Sequence, residues 1–333
     1  MNMNSNDTFK ALVVREDENG KLSRSLEHRT VNDLPEGEVL IKVLFAGLNY
    51  KDGLSASGHK GITKAYPHTP GIDASGIVEQ SDDSRFSQGD EVIVTSYDLG
   101  MNHDGAFAEY IRVPADWVVK KPKTLSFEKS QQFGTAGFTA ALALYKMEMS
   151  GQVPEMGKIV VTGATGGVGS MAVAILAHTG YEVIASTGKN EVEYLTQLGA
   201  TQIEPRQFTN DDSNRPLLRP KWAGAIDTVG GNTLATLLKA CGRNGNVATC
   251  GLVASPDLST TVYPFILNGI NLLGVESAEC PMKIRAELWR KLGNEWNAKL
   301  PEDSATFITI EELDPYLDAI LAGKTKGRVI VRF

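Results

Sequence analysis

The chain has 333 residues, 42% of them hydrophobic and 22% charged, and 33 lysines and arginines against 40 acids leave a net charge of −7. This content excludes general disorder, and the acidic balance argues against non-specific binding to nucleic acid or an anionic membrane. Apolar runs such as Val43–Leu48 fall far short of the ~20 residues a spanning helix requires, and three cysteines (Cys241, Cys250, Cys280) make neither a disulfide framework nor a four-cysteine zinc site.

At roughly 100–200 residues per domain, the length suggests two domains. Met1–Lys10 is polar and carries no apolar signal-peptide core, so a cytoplasmic protein is expected. The first third then reads as β structure. Glu38–Ala46 alternates polar and apolar residues at its start, and Ile72–Glu79, Glu91–Thr95 and Phe107–Val113 are further short β-prone runs. Clusters of Gly, Pro, Asp and Ser separate them, which points to a small barrel or sandwich. Near residue 125 the pattern changes. Ser126–Gly151 is rich in helix formers. Strands at Lys158–Thr162, Glu182–Ser186, Ala223–Val229, Asn246–Cys250 and Asn271–Val275 then alternate with helices, including one to about Thr179, Glu191–Leu198 and Asn232–Cys241. Such alternation specifies βαβ units and a parallel sheet. Lys283–Asn297 reads as a helix, and Arg328–Phe333 as a strand that needs a partner and is expected back in the first β domain. The expected fold is therefore α/β, a Rossmann-type doubly wound parallel sheet plus a β-barrel domain. The boundaries are 1–130 with 305–333 for the barrel and 131–304 for the Rossmann domain.

Val161–Ser170 (VTGATGGVGS) follows a strand and opens a helix, the context a dinucleotide turn requires. Gly163, Gly166 and Gly169 leave backbone free to approach a pyrophosphate, and the helix N-terminus supplies N–H donors. A site selective for NAD places Asp or Glu about 20 residues further on, to take the ribose 2′-hydroxyl. Here the second strand ends Ala185-Ser186-Thr187-Gly188-Lys189, with no carboxylate before Glu191. Ser186, Thr187, Lys189 and Arg206 suit a 2′-phosphate, so NADPH is the expected cofactor.

Several motifs then carry a resemblance. Asn49-Tyr50-Lys51-Asp52, Pro70–Gly76 (PGIDASG), Gly89–Val92 (GDEV) and Gly105–Tyr110 (GAFAEY) resemble the zinc-free quinone-oxidoreductase branch of the medium-chain dehydrogenase/reductase superfamily. Gly134–Ala140 (GTAGFTA), Ala223–Gly230 (AGAIDTVG) and Cys250–Leu252 (CGL) are similar to its acryloyl-CoA reductase subgroup. The resemblance covers essentially the whole chain and implies a GroES-like domain ahead of the Rossmann domain. It also implies NADPH-dependent reduction of the acryloyl-CoA double bond, an acyl-CoA thioester partner, and a homodimer joined through Asn271–Val275. By position it implies cofactor contacts from Tyr50, Thr165, Gly166, Gly167, Val168, Thr187, Gly188, Lys189, Arg206, Leu252, Ile266, Ser277 and Arg328, with the nicotinamide in the cleft between the domains. Tyr50 is the first candidate for the catalytic hydrogen-bond donor, and Asn49 and backbone N–H groups are its rivals. Asp52 is read either as a local cap or as a chemical group. Lysine stands at 189 where arginine is frequent in this branch, which exchanges a bidentate grip for a point charge.

No metal is expected. Gly71-Ile72-Asp73 stands where zinc relatives carry Gly-His-Glu, Asn49 stands near their cysteine, and the chain has no cysteine before Cys241. His59, His68 and His103 lie in polar, turn-like stretches. Cys250 reads as a buried thiol, and Lys60–Lys64 (KGITK) as either a solvated loop or a contact for coenzyme A phosphates. Three rival functions remain to be weighed. A short-chain dehydrogenase would need Tyr-x-x-x-Lys, which none of the nine tyrosines provides. A quinone or general enone/enal reductase differs only in its pocket. A non-catalytic NADPH-binding sensor would bind without turnover.

Overall fold

The computed structural model describes residues 7–333. β1 (Thr8–Glu16) and β2 (Leu22–Thr30) form an antiparallel hairpin. β3 (Val39–Gly47) leads to a short helix α1 (Tyr50–Ala56), and β4 (Asp73–Ser81), β5 (Glu91–Thr95), β6 (Tyr110–Val113) and β7 (Val118–Lys120) follow. Helix α2 spans Phe127–Met149 and is broken at Gly134, whose φ of 50° and ψ of −154° are not helical. Next come β8 (Ile159–Thr162), α3 (Gly167–His178), β9 (Val183–Thr187), α4 (Val192–Gln197), β10 (Gln202–Pro205) and β11 (Trp222–Asp227). The remaining elements are α5 (Gly231–Lys239), β12 (Cys241–Thr249), α6 (Tyr263–Asn268), β13 (Asn271–Gly274), α7 (Met282–Gly293), β14 (Ala305–Ile308), α8 (Asp314–Leu321) and β15 (Arg328–Arg332).

The chain divides into two units. The first takes the N-terminal stretch to Thr135, then Ala278–Arg290 and Ala305–Phe333; the second takes Ala136–Ser277 and Lys291–Ser304. Nothing in the sequence separates Ala278–Arg290 from its flanks. What ties that segment to the first unit is Arg285, a buried guanidinium that donates to the Thr95 carbonyl and hydroxyl, each at 2.9 Å.

In the first unit a seven-stranded sheet runs β14-β15-β3-β4-β5-β7, with β6 also on β3. The terminal strand β15 pairs antiparallel with β3, Val331 opposite Ala46. Ile41, Val43, Val94, Phe107, Ile111, Leu317 and Val331 fill its interior; burying side chains of this size contributes about 1.5–3 kcal/mol each. The expected strand Phe107–Val113 is shorter, because Phe107 and Glu109 pair with β1 instead: the Leu12 N–H donates to the Phe107 carbonyl at 2.8 Å and the Glu109 N–H to the Lys10 carbonyl at 3.0 Å.

The second unit holds a six-stranded sheet, β10-β9-β8-β11-β12-β13, in which every pairing is parallel. Its order reverses between β8 and β11, the switch point where such sheets bind ligands at the carboxyl ends of their strands. Helix α3 is buried from Gly169 to Leu176, as a helix that is apolar nearly all round must be. Among the described residues no helix is long and apolar enough to cross a membrane.

Candidate active site

In the second unit, β8 ends at Thr162 and the chain turns at Gly163 with φ 58°. A Cβ at Gly163 would strike the Thr228 hydroxyl, and one at Gly169 would strike the Gly163 carbonyl oxygen. The glycines therefore bring helix α3 close against the strand end and leave Thr165, Gly166, Gly167 and Val168 presenting backbone at the N-terminal turn. Asp227 closes β11 beside them. Fully buried, it accepts from the Thr162 hydroxyl at 2.7 Å and the Gly230 N–H at 2.9 Å, and so locks the ends of β8 and β11 at the switch point. Burial raises its carboxyl above the ordinary range. Cys250 is half-buried rather than buried; desolvation of its thiol, with the Asp227 charge in support, pushes it up to about 12, against a nucleophilic role.

The end of β9 gathers the residues expected at the 2′-phosphate except Ser186, which is buried and shares a 3.2 Å hydrogen bond with Thr209. The Thr187 hydroxyl lies 3.1 Å from that of Thr165 and accepts the Lys189 N–H at 3.1 Å. Arg206 starts the turn after β10, with its guanidinium directly over Gly188, so that a side chain at 188 would collide with it. Thr187, Gly188 and the Lys189 backbone thus lie with the Arg206 guanidinium at one cationic edge, although Arg206 comes from the turn after a different strand. Leu252 and Ile266 are exposed, and Ser277 accepts from the Thr139 hydroxyl at 2.8 Å.

In the first unit the site is the start of α1. Asn49 is the N-cap and Asp52 the third helical residue, joined by a capping box in which the Asn49 N–H donates to Asp52 Oδ2 at 2.7 Å. The other Asp52 oxygen accepts the Ile72 N–H at 2.9 Å. Asn49 is committed at both ends of its amide: Nδ2 donates to Asp73 Oδ2 at 2.8 Å, and Oδ1 accepts from Arg328 at 3.0 Å. Tyr50, between these buried neighbours, is 54% exposed.

Around them lies a buried polar cluster that sequence reasoning did not assemble. Asp73, which is 0% exposed, accepts the Thr135 N–H at 2.8 Å and hydroxyl at 2.5 Å, and pairs with Arg328 at 3.3 Å. Arg328, 3% exposed, also donates to the Leu48 carbonyl at 3.1 Å, while its Nε and the Gln131 side-chain nitrogen are buried without partners. Gly47 and Gly134 flank the pair; a Cβ would stand 2.7 Å from the guanidinium at Gly47 and 2.5 Å from the Asp73 carboxylate at Gly134. The break in α2 is therefore what admits the ion pair. Next to it Ser96, held at a φ of 62°, shares a 2.9 Å hydrogen bond with Thr135. Such left-handed strain in a residue other than glycine costs roughly 1–3 kcal/mol and persists only where the surroundings over-determine it. The basic run keeps part of its charge at home, since Lys60 pairs with Glu16 at 2.8 Å.

Among the described residues no group of three His, Cys, Asp or Glu side chains is placed to hold a metal. Of the residues that the resemblance sets at or near the ligands of zinc relatives, Ile72 is apolar, and Asn49 and Asp73 are already satisfied by each other and by Arg328. They do not fit a zinc ion.

The alcohol dehydrogenase GroES-like domain family matches residues 35–123, and the zinc-binding dehydrogenase family matches residues 167–292. The acrylyl-CoA reductase AcuI of Ruegeria pomeroyi is 42% identical over 97% of this chain and 98% of its own length. A putative quinone oxidoreductase, YhfP of Bacillus subtilis, is 45% identical over 91% of this chain and 92% of its own; a solved structure of B. subtilis yhfP has NAD bound and superimposes with a TM-score of 0.95, covering 98% of this chain and all of that one. The yhdH oxidoreductase of Salmonella enterica, solved in complex with NADP, is 42% identical, with a TM-score of 0.92 over 97% of this chain and 99% of that one. The chain belongs to the medium-chain dehydrogenase/reductase superfamily, among its quinone oxidoreductases and acrylyl-CoA reductases.

Proposed function

We propose that this protein is an NADPH-dependent reductase of acryloyl-CoA, giving propanoyl-CoA. The observation that carries the reading is the cationic edge of Lys189 and Arg206 at the end of a β9 strand that offers no carboxylate, beside full-length likeness to an acrylyl-CoA reductase. When bound, the reduced nicotinamide supplies a hydride, which goes to the β-carbon of the alkene. The protein supplies the rest. Thr165, Gly167 and Val168 offer backbone N–H groups to the pyrophosphate, the Gly166 N–H being spent on the Gly163 carbonyl, and Thr187, Gly188, Lys189 and Arg206 hold the 2′-phosphate. Leu252, Ile266 and Ser277 of the same unit are the remaining cofactor contacts, whereas Arg328 is buried and spent on Asp73, Asn49 and Leu48. Negative charge collects on the thioester oxygen as the hydride arrives, and the Tyr50 hydroxyl is the donor that meets it. A proton then reaches the α-carbon from a side chain or water.

The deciding experiment is NADPH oxidation with acryloyl-CoA, quinones and simple enones compared. Turnover fastest with acryloyl-CoA, and unchanged after prolonged chelation, supports a zinc-free acryloyl-CoA reductase. Faster turnover of quinones selects the second reading, which the YhfP name favours; binding without turnover selects a sensor. Replacing Lys189 or Arg206 by Ala removes a charge-assisted bond worth about 1.5–3 kcal/mol. The KM for NADPH should therefore rise about tenfold or more, with NADH nearly unaffected. Equal efficiency of the wild type with both cofactors would refute the 2′-phosphate site. Tyr50→Phe should lower kcat about 10²-fold, as loss of one oxyanion donor does, and leave NADPH binding within about twofold. An unchanged kcat would exclude Tyr50 as the donor.

The protein is also read as a cytoplasmic homodimer. β13 is the edge of its sheet, its Asn271-Leu272-Leu273-Gly274 run is only half buried, and Tyr263, Ile266 and Leu267 of α6 are exposed nearby in sequence. Pairing this strand with its copy across a two-fold axis would cover an edge otherwise prone to aggregate. Light scattering should give twice the chain mass, and the mass of one chain at micromolar concentration would overturn this.

A further inference from the structure

The Asp52 carboxyl is buried more deeply than its capping role requires. A capping box works with a neutral glutamine at the same helical position and at an exposed helix start. Here the acid is 0% exposed and faces a second buried carboxylate, Asp73, with one guanidinium, Arg328, to serve both. That guanidinium spends its terminal nitrogens on Asp73, Asn49 and Leu48, and none on Asp52. Asp52 instead uses one oxygen for the Asn49 N–H and the other for the Ile72 N–H, bridging the start of α1 to the residue before β4. The residue before Tyr50 is therefore gripped at its backbone N–H by Asp52, at Oδ1 by Arg328 and at Nδ2 by Asp73. Tyr50 is the first residue to emerge from this clamp.

We propose that Asp52 is a positioning residue for the reduction, aiming Tyr50 through the helix start that it closes with Asn49. This rests on the reading of Tyr50 as the hydrogen-bond donor. As a carboxylate, Asp52 makes two charge-assisted bonds to backbone N–H groups, the stronger kind. Once protonated it accepts more weakly, the turn that carries Tyr50 loosens, and the hydroxyl is no longer held on the developing oxyanion, where small displacements are costly. The groups that face it set where this happens. Burial raises its carboxyl to about 7, with the Asp73 charge in support and the two N–H donors and Arg328 in opposition. Asp314 and Asp318 on α8, which packs against α1, are held by Arg24.

The test is a double-mutant cycle on the full chain, assayed with NADPH and acryloyl-CoA from pH 5.5 to 8.5. Wild-type kcat should fall on the acid side of about pH 7. Asp52→Asn, which can accept only one of the two N–H groups, should lower kcat about tenfold with the KM for NADPH within about twofold, flatten the acid limb, and cost nothing further in a Tyr50→Phe background. An acid limb that survives in Asp52→Asn, losses that multiply in the double variant, or an unchanged kcat with only a lower Tm would each overturn the positioning role and leave Tyr50 as donor intact. An unimpaired Tyr50→Phe would overturn the donor reading, and the positioning role with it. Should Asp52→Asn fail to fold, fluorotyrosine-labelled wild type decides: the 19F resonance assigned by Tyr50→Phe should titrate near 7, and a resonance flat across the range would refute the proposal.

Discussion

A short acryloyl thioester that lacks the nucleotide part of coenzyme A should be reduced with kcat/KM lower by at least about 10²-fold. The reacting acyl group has three carbons and offers little surface, so the energy that orients it must come from the remote part of the substrate. Binding energy of that kind is expressed in the transition state and raises kcat as well as tightening binding. Two charge-assisted contacts to phosphate, at about 1.5–3 kcal/mol each, account for a loss of this size at 1.36 kcal/mol per tenfold. Steady-state kinetics with both thioesters measure it directly. Equal kcat/KM values would mean that coenzyme A is not recognised, and would move the protein to the general enone reductases.

The second large effect is on stability. Asp73→Ala should lower the unfolding free energy by about 3–5 kcal/mol, the usual cost of leaving one member of a buried ion pair alone. Asp73 accepts from Asn49, twice from Thr135 and from Arg328, so its removal strands a buried cation together with three other donors. At about 2–4 °C per kcal/mol for a unit the size of the first, the apparent Tm of that unit should drop by roughly 6–20 °C. Asp73→Asn, which keeps the shape and one acceptor, should lose less. Thermal denaturation of both variants checks this, and an Asp73→Ala protein with the wild-type Tm would show that the cluster contributes nothing to stability.

What was legible in the sequence was what repeats over a short range. The alternation of strand and helix from Lys158 onward reports the parallel sheet, because each βαβ unit writes its own hydrophobic period. The glycine turn at Gly163–Gly169 reports the phosphate site because backbone must approach closely there. The β1–β2 hairpin was not legible: β2 reads LSRSLEHRT, lies mostly exposed, and carries no apolar alternation. Nor was α1, seven residues with a glycine inside, although its Asn49-x-x-Asp52 cap marks the start. The resemblance implies a cofactor contact at Arg328, whereas the structure holds it against Asp73, 255 positions away. A pair so distant leaves no periodic trace. Gly134 lies within a run rich in helix formers, and its positive φ is explained only once the carboxylate beside it is known.

The antiparallel pairing of β15 with β3 has a consequence for how the protein is made. Almost all of the second unit is one continuous stretch, Ala136–Ser277, and its parallel sheet can form as soon as that stretch has left the ribosome. The first unit has to wait. Its central strand β3 lacks a neighbour, and Asp73 lacks its counter-ion, until Arg328–Arg332 has been translated. Closing a contact across that much chain is slow, and an unpaired strand edge is exposed to wrong partners meanwhile. The middle of the first unit should therefore be completed after the second unit although it is made before it, with β3 and Asp73 the most dependent on chaperones while the ribosome is still at work.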